Sequence, residues 1–297
     1  MLNIIAAQLV GVKALPTGGN EIKTVGAYRY HFFTSNGTLS IPAALDVEVV
    51  SCGGGGGGGQ RIAGGGGAGE LDILTAVNGA SGDYVVTVGN AGTGSTTDSV
   101  KGGDGGTSTF VQGANTYVSS LGGGGGGSGT GSNSGANGGS GGGGSFYGNP
   151  GVGGSASGSN TFAGGNGIAD SAGGGGGGAT AVGNPGNTVN TNPSSQGGQG
   201  YTLTTIDSNL TAANFTSLTG MTVICSGAGG ARFFGVGGNN EPVGGTGAGS
   251  GGYGGSGTPV QPGVGVSFGS GGGGGAWETP RNGASGKSGV VIVRYAV

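Results

Sequence analysis

The sequence predicts an all-β fold: an antiparallel, sandwich-like β framework combined with a bundle of polyglycine II helices, with little or no α-helix. Three observations predict it. Apolar residues recur with a period of two in several short segments, the pattern of half-buried strands. No stretch of ten or more residues carries a convincing apolar period of 3.6; "SNLTAANFTSL" at 208–218 comes nearest and is weak. Finally, 88 of the 297 residues are Gly, and many of them stand in unbroken runs.

Residues 1–22 are an apolar start followed by the turn-rich "PTGGNE". In "AYRYHFF", Tyr28, Tyr30 and Phe32 share one strand face, and Arg29, His31 and Phe33 the other. "SNGT" at 35–38 reads as a hairpin-type turn into "TLSI", with Leu39 and Ile41 on one face. "DVEVVSC" at 46–52, "GELDILTAV" and "DYVVTVG" are the next strands, the last with Tyr84, Val86 and Val88 aligned. "TSTFV", "TYVSSL" and, at 289–295, "GVVIVRY" complete the set.

Between the strands lie glycine runs at 53–59, 64–67, 122–127, 141–144, 173–178 and 271–275. Disorder is one reading of such composition, but disordered chains carry abundant charge, and this one has only 9 Lys or Arg and 12 Asp or Glu. Collagen is excluded because the Gly-X-Y register never persists. A polyproline II helix has three residues per turn and no internal hydrogen bonds; built from Gly, every residue still offers an N–H, and neighbours can approach on all sides. Seven residues would make a rod of ~20 Å at about 3.1 Å per residue. Ordering each Gly costs on the order of 1–2 kcal/mol, against about 0.5–1.5 kcal/mol returned per hydrogen bond, so the rods need apolar clamps such as Val49, Val50, Val223 and Ile224. Gly53, Gly56, Gly59, Gly122, Gly125, Gly173, Gly176, Gly271 and Gly274 are the expected rod glycines, where any larger side chain clashes.

The net charge of −3, with no Lys/Arg run, speaks against nucleic acid and anionic membranes as partners. No stretch approaches the ~18–20 apolar residues of a membrane span. "MLNIIAAQLVGVKALP" lacks a charged region ahead of its apolar part and reads as mature sequence. Cys52 and Cys225 each end an apolar strand just before glycines; a bridge needs those ends to be neighbours, and free buried thiols are the expectation.

The residues offer little catalytic chemistry, so no enzyme and no cofactor is expected. His31 stands alone on a strand among aromatics, without the second His or Cys pair a metal site needs. Asp46 with Glu48, and Glu70 with Asp72, share strand faces and are expected to face solvent. G-x-G-x-x-G matches are too numerous to inform. "GGDGGTSTF" has a single Asp and no repeated nonapeptide, so no calcium site is expected. Aromatics in the polar spacers remain. Phe146, Tyr147, Tyr201, Tyr253 and Trp277 either offer rigid area to a sugar or protein partner or clamp the bundle.

The ordered series "GAYRYHFFTSNGTLSI", "DVEVVSCGGGGGGGQRIAGGGGAGEL", "DYVVTVGNAGTG", "GGDGGTSTF", "SLGGGGGGSG" and the closing "NGASGKSGVVIVRYAV" resembles the glycine-rich domain of tailed-bacteriophage fibre and tail proteins. The likeness covers residues 25–128 and 283–297; residues 129–282 resemble, in style only, phage tip adhesins whose polyglycine II helices alternate with variable loops. It implies a virion surface component: a tail fibre or fibre-tip receptor-binding protein that contacts a host surface glycan or outer-membrane protein. The rival is a capsid-decorating (head fibre) or fibre-shaft protein with no receptor. Single-chain and homotrimeric arrangements both stay open, and no catalytic residue is carried over. On this reading residues 1–22 are an arm docking on other virion proteins through Leu2, Ile4, Ile5, Leu9 and Val10. Residues 23–128 are the β framework with the first rods, 129–282 the bundle with polar spacer loops, and 283–297 the closing strand. Assembly in the host cytoplasm onto a tail or capsid exterior follows.

Overall fold

The computed structural model describes residues 14–146, 149–168, 172–186, 195–232, 243–251, 260–277 and 281–297. Its strands form two main antiparallel sheets. Strands β1 (Glu21–Val25), β2 (Tyr28–Phe33), β4 (Leu45–Cys52), β5 (Leu71–Gly79) and β11 (Val290–Ala296) make a sheet in the order β1-β2-β11-β4-β5. Strands β3 (Gly37–Ile41), β6 (Gly82–Thr87), β7 (Ser108–Gln112) and β8 (Asn115–Ser120) make the second, in the order β3-β6-β7-β8. Between the sheets lies a core of Phe33, Leu39, Ile41, Val49, Tyr84, Val86, Phe110, Val291 and Val293, with Tyr84 and Phe110 stacked at 4.8 Å.

The five-stranded sheet is buried on both faces. Tyr30, Phe32, Val290 and Ile292 point away from the inter-sheet core into a second cluster. Its cover is residues 201–224: a two-stranded ribbon, β9 (Tyr201–Thr202) with β10 (Val223–Ile224), enclosing helix α1 (Leu203–Ile206) and a 3₁₀ turn at Thr216–Leu218. Phe215 packs its ring on Tyr30 at 5.0 Å and on Phe32 at 4.6 Å. The 208–218 stretch is not a longer helix, because polar side chains in it and just before it bond nearby backbone instead: Asp207 accepts from the Asn209 N–H at 2.9 Å, and Asn214 donates its amide to the Asn209 carbonyl at 2.8 Å. Polar clasps hold this cap to the sheet. Glu21 accepts from the N–H groups of Thr216 and Ser217 at 2.9 and 2.8 Å. Tyr30 donates its hydroxyl to Asp207 at 2.6 Å.

Four readings of the sequence change. The 35–38 turn makes no hairpin: β2 and β3 belong to different sheets, so it carries the chain from one layer to the other. Strand β1, unread in the sequence because only Ile22 and Val25 punctuate "EIKTV", forms the edge of the larger sheet. Cys52 and Cys225 are joined as a disulfide rather than free, because the ends of β4 and β10 meet over the same apolar cluster, across 173 residues of sequence. Glu70 also departs from a solvent-facing role: it is buried, and its carboxylate accepts from the N–H of Leu121 at 2.9 Å and of Ser159 at 2.7 Å.

The seven glycines at 53–59 are the axis of the bundle. Gly53, Gly56 and Gly59 donate to the carbonyls of Glu70, Gly67 and Gly64; Gly54 and Gly57 to Gly106 and Gly103; Gly55 and Gly58 to Lys287 and Ala284. Three other segments return the bonds in parallel: Gly123 and Gly126 donate to Gly54 and Gly57, Gly92 and Ser95 to Gly55 and Gly58, Gly272 and Gly275 to Gly56 and Gly59. Every third residue meets the same neighbour, as three residues per turn requires, and the rod is hydrogen-bonded on six sides at 2.8–3.1 Å. The 173–178 run repeats the arrangement, with Gly173 and Gly176 donating to Ala231 and Ala228. Gly271 and Gly274 donate to Ser226 and Gly229, the Gly122 carbonyl accepts from Gly139, and Gly125 donates to the Asp104 carboxylate at 2.8 Å. The bonds run freely across residues 128 and 282, so rods from successive stretches of sequence interleave in one lattice.

Candidate ligand-presenting surface

The connectivity sorts the turns between rods by position. Rods leave the sheets at Cys52, Val88 and Ser120 and return to them at Leu71, Ser108 and Val290. The reversals at 60–63, 95–101 and 128–134 fall at the end of the bundle remote from the sheets, which we term the crown, whereas the 158–160 turn lies at the sheet end, bonded to Glu70 and Leu71. At the first of these, residues 60–63, the chain reverses in four residues; Arg61 and Ile62 take left-handed backbone angles, φ 62° and 45°. Ile62 is buried, a side chain that plugs the end of the lattice.

Around Arg61 several reversals meet. Its guanidinium pairs with Asp98 at 2.8 Å and lies over the Trp277 ring at 4.3 Å, while its N–H donates to the Arg281 carbonyl at 3.0 Å. Gln60 donates its amide to the Thr96 carbonyl and to Asn282 Oδ1, both at 2.8 Å. The Thr130 N–H reaches the Asp98 carbonyl at 2.9 Å, and Asn133 donates to the Asn149 carbonyl at 2.7 Å. Loops far apart in sequence are thus tied to one another as well as to the rods. The chemistry on offer is hydroxyls, amides, one ion pair and an indole: groups that bind by hydrogen bonding and stacking. Among the described residues, no three of His, Cys, Asp and Glu gather where they could hold a metal ion.

The opposite end carries the titratable residues with shifted behaviour. His31 is buried between the sheets, Nδ1 2.6 Å from the Gly18 carbonyl and Nε2 3.4 Å from the Tyr295 hydroxyl. Burial pushes its pKa below the ordinary value, with nearby Arg29 acting the same way. On the other face of the sheet, Arg294 reaches Glu48 at 2.6 Å, pairs with Asp207 and lies over the Tyr28 ring. Burial opposes its charge, yet the bonds to Glu48 and Tyr30 and the charge of Asp207 hold it protonated more firmly than usual. Both clusters bind parts of this chain to each other.

The sequence profile of the family described as "Glycine-rich domain" matches residues 34–296. The chain belongs to this family. No curated protein matches the chain closely enough to count as a relative.

In this glycine-rich domain, the sequence-selected aromatics go to different places. Trp277 stands in the crown, half-buried beneath Arg61. Phe146 is at the same end but only 3% exposed, its N–H on the Ile62 carbonyl at 3.3 Å, so its ring packs inside. Tyr201 lies on β9 at the sheet end, against the cluster beneath the cap. Tyr147 and Tyr253, like Leu2, Ile4, Ile5, Leu9 and Val10, lie outside the described residues. Arg61, Asp98, Gln60 and Asn282 were missed by reading the sequence for charge pairs. Their signal is positional: "GQRIAGG" and "TTDSVKGG" put polar residues in the few positions between glycine stretches, where a rod has to turn.

Proposed function

We propose that this glycine-rich domain protein is a bacteriophage virion surface protein, a tail fibre or fibre-tip receptor-binding protein whose crown contacts a host surface glycan or outer-membrane protein. The observation that carries the reading is the two-ended construction. One pole holds Ala14, Leu15 and Val297 around an apolar groove, while at the far end of the lattice the polar turns at 60–63, 95–101 and 128–134 are tied to one another around Arg61. A scaffold that fixes many loops on one end is suited to multivalent weak contacts. The likeness of the strand-and-glycine series to phage fibre and tail proteins supports the virion setting. Neither catalysis nor a cofactor enters the reading: the crown's groups orient and bind. The apolar pole is then the virion-facing end, toward the fibre or tail proteins that carry it.

The test is competition. Purified chain added to host cells should reduce adsorption of particles that carry it, and Trp277→Ala together with Arg61→Ala should weaken that competition while the melting temperature stays near wild type. Absence of competition at saturating protein, with gold-labelled antibody decorating capsids, would replace receptor binding with a capsid-decorating role.

A further inference from the structure

The ion pairs of Arg294 form the floor of a small cavity between the outer face of the five-stranded sheet and the cap. Its volume is about 70 Å³. At about 10–15 Å³ for each water-sized group, that is room for roughly five non-hydrogen atoms. Val50, Ile73 and Ile292 from the sheet, Leu74 beside them, and Ile206 and Leu210 from the cap make its apolar walls. Thr75, exposed on the edge strand β5, also lines it and marks the open side.

Charge and hydrogen bonding at the floor select what the cavity can hold. Arg294 brings one positive charge, and Glu48 and Asp207 bring two negative ones, so one negative charge is unbalanced. The guanidinium is already engaged: Nε and Nη2 donate to Glu48 Oε2 at 3.0 and 2.6 Å, and Nη1 donates to Asp207 Oδ2. Tyr30 gives its proton to Asp207 and accepts from the Asn209 amide at 3.0 Å. The second Asp207 oxygen holds the Asn209 N–H. That leaves Glu48 Oε1, to which no donor among the described residues is bonded, on a side chain 27% exposed. An anion would have to displace a carboxylate from Arg294, and a neutral guest would leave the charge unbalanced. A cationic donor pairs with Oε1 directly, and charge-assisted bonds of this kind are the stronger ones. A bare cation gains nothing from six apolar walls, whereas one carrying a hydrocarbon tail buries it there.

We propose that this cavity binds a primary alkylammonium group of about four carbons, its nitrogen on Glu48 Oε1 and its chain along Ile73, Leu74, Ile206 and Leu210. Free small amines carry this group, and so does a lysine side chain, an ammonium on a four-carbon stem. The cavity is built from the sheet and the cap rather than the crown, so the inference does not rest on the virion reading.

Methyl NMR of the full chain, with ¹³C-labelled Ile and Leu, tests it against n-butylammonium, butan-1-ol and butyrate at equal ionic strength and neutral pH. Butylammonium should shift the methyls of Ile73, Leu74, Ile206 and Leu210 saturably and bind about tenfold more tightly than butan-1-ol, while butyrate should give no saturable shift. Ethylammonium, two methylenes shorter, should bind on the order of tenfold more weakly. Glu48→Gln keeps the size of the side chain and an oxygen for Arg294, and should reduce butylammonium to the level of the alcohol. If that variant does not fold, the wild-type charge series decides alone. No shift with butylammonium at about 100 mM would overturn the proposal. Equal responses to all three probes, or a preference for butyrate, would overturn it too. Nα-acetyl-lysine methylamide then separates the sources: shifts matching those of butylammonium assign the site to a lysine of a partner protein, and butylammonium binding without them assigns it to free amines.

Discussion

Adding one methyl group at Gly56 tests the lattice most sharply. A Cβ built there lies 2.3 Å from the Gly124 carbonyl oxygen and 2.6 Å from its carbon. Both are backbone atoms of a neighbouring rod, so no side chain can turn aside. Reaching an ordinary contact requires the two rods to separate by about 1 Å, which stretches the bonds from Gly56 to Gly67 and from Gly67 to Gly124, both now 2.8–2.9 Å. Overpacking costs about 1–3 kcal/mol, and each buried backbone group left unpaired about 1–3 kcal/mol more. The stiffer unfolded chain gives back only about 0.4–1 kcal/mol. The net expectation for Gly56→Ala is a loss of about 3–5 kcal/mol, on the order of 10 °C in melting temperature, with Gly56→Val insoluble. The sequence alone suggests Gly131 as a tolerant control, since a Cβ there would come no nearer than 3.9 Å to its surroundings; but its φ is +89°, which strains a branched residue. Gly113 is the better control: its φ of +57° suits Asn and a Cβ there meets nothing within 4 Å, so Gly113→Asn should shift the midpoint by less than about 1 kcal/mol. Thermal and urea unfolding of both variants decide the matter. Equal stability of Gly56→Ala and Gly113→Asn would refute the close-packed lattice.

Three further outcomes follow from the sheet end. His31 has a folded-state pKa below its ordinary 6.5, so the unfolded chain takes up the proton first; its contribution is complete above pH 6.5 and declines as pH falls from there toward the folded value. His31→Gln should flatten that part of the stability profile, and an unchanged slope would show that the ring titrates freely. Asp207→Ala removes the partner of both Arg294 and Tyr30 and should cost about 2–4 kcal/mol, with faster amide exchange confined to residues 203–222; a neutral effect would mean the cap is held by Phe215 and Leu218 alone. Thiol titration in denaturant should find no reactive Cys before reduction and two after it, and the double variant Cys52→Ser, Cys225→Ser should lose about 2–5 kcal/mol. Two thiols without reductant would contradict the bridge.

Much of the framework is legible in the sequence because strand patterning is local. The alternation in "AYRYHFF" assigns Tyr30 and Phe33 to opposite faces, as found. What alternation does not carry is the identity of the layer on each side, so the cover supplied by Leu203, Leu210 and Phe215 is invisible until the fold brings it over Tyr30 and Phe32. The rods are legible as rods, since a run such as 53–59 has few other ordered uses. Their neighbours are not: a glycine has no side chain to specify whether Gly56 meets Gly67, Gly124 or Gly272, and the choice is fixed by where strands launch each run. For the same reason the meeting of Arg61, Asp98 and Trp277, distant in sequence, is a product of connectivity. The buried Glu70 illustrates a further limit, because a carboxylate capping two backbone N–H groups has the same sequence pattern as one in water.

The measurement that bears most directly on the account is amide exchange of the glycines, resolved by NMR on protein labelled with ¹⁵N-glycine. The lattice predicts that Gly53 through Gly59, each donating to a rod or strand end around it, are protected close to the level of β11 amides such as Val291 and Val293, while Gly113 and Gly131 exchange fast. Exchange of Gly53 through Gly59 at the rate of an unstructured peptide, with β11 still protected, would contradict it: the sheets would stand, but nothing would hold the crown.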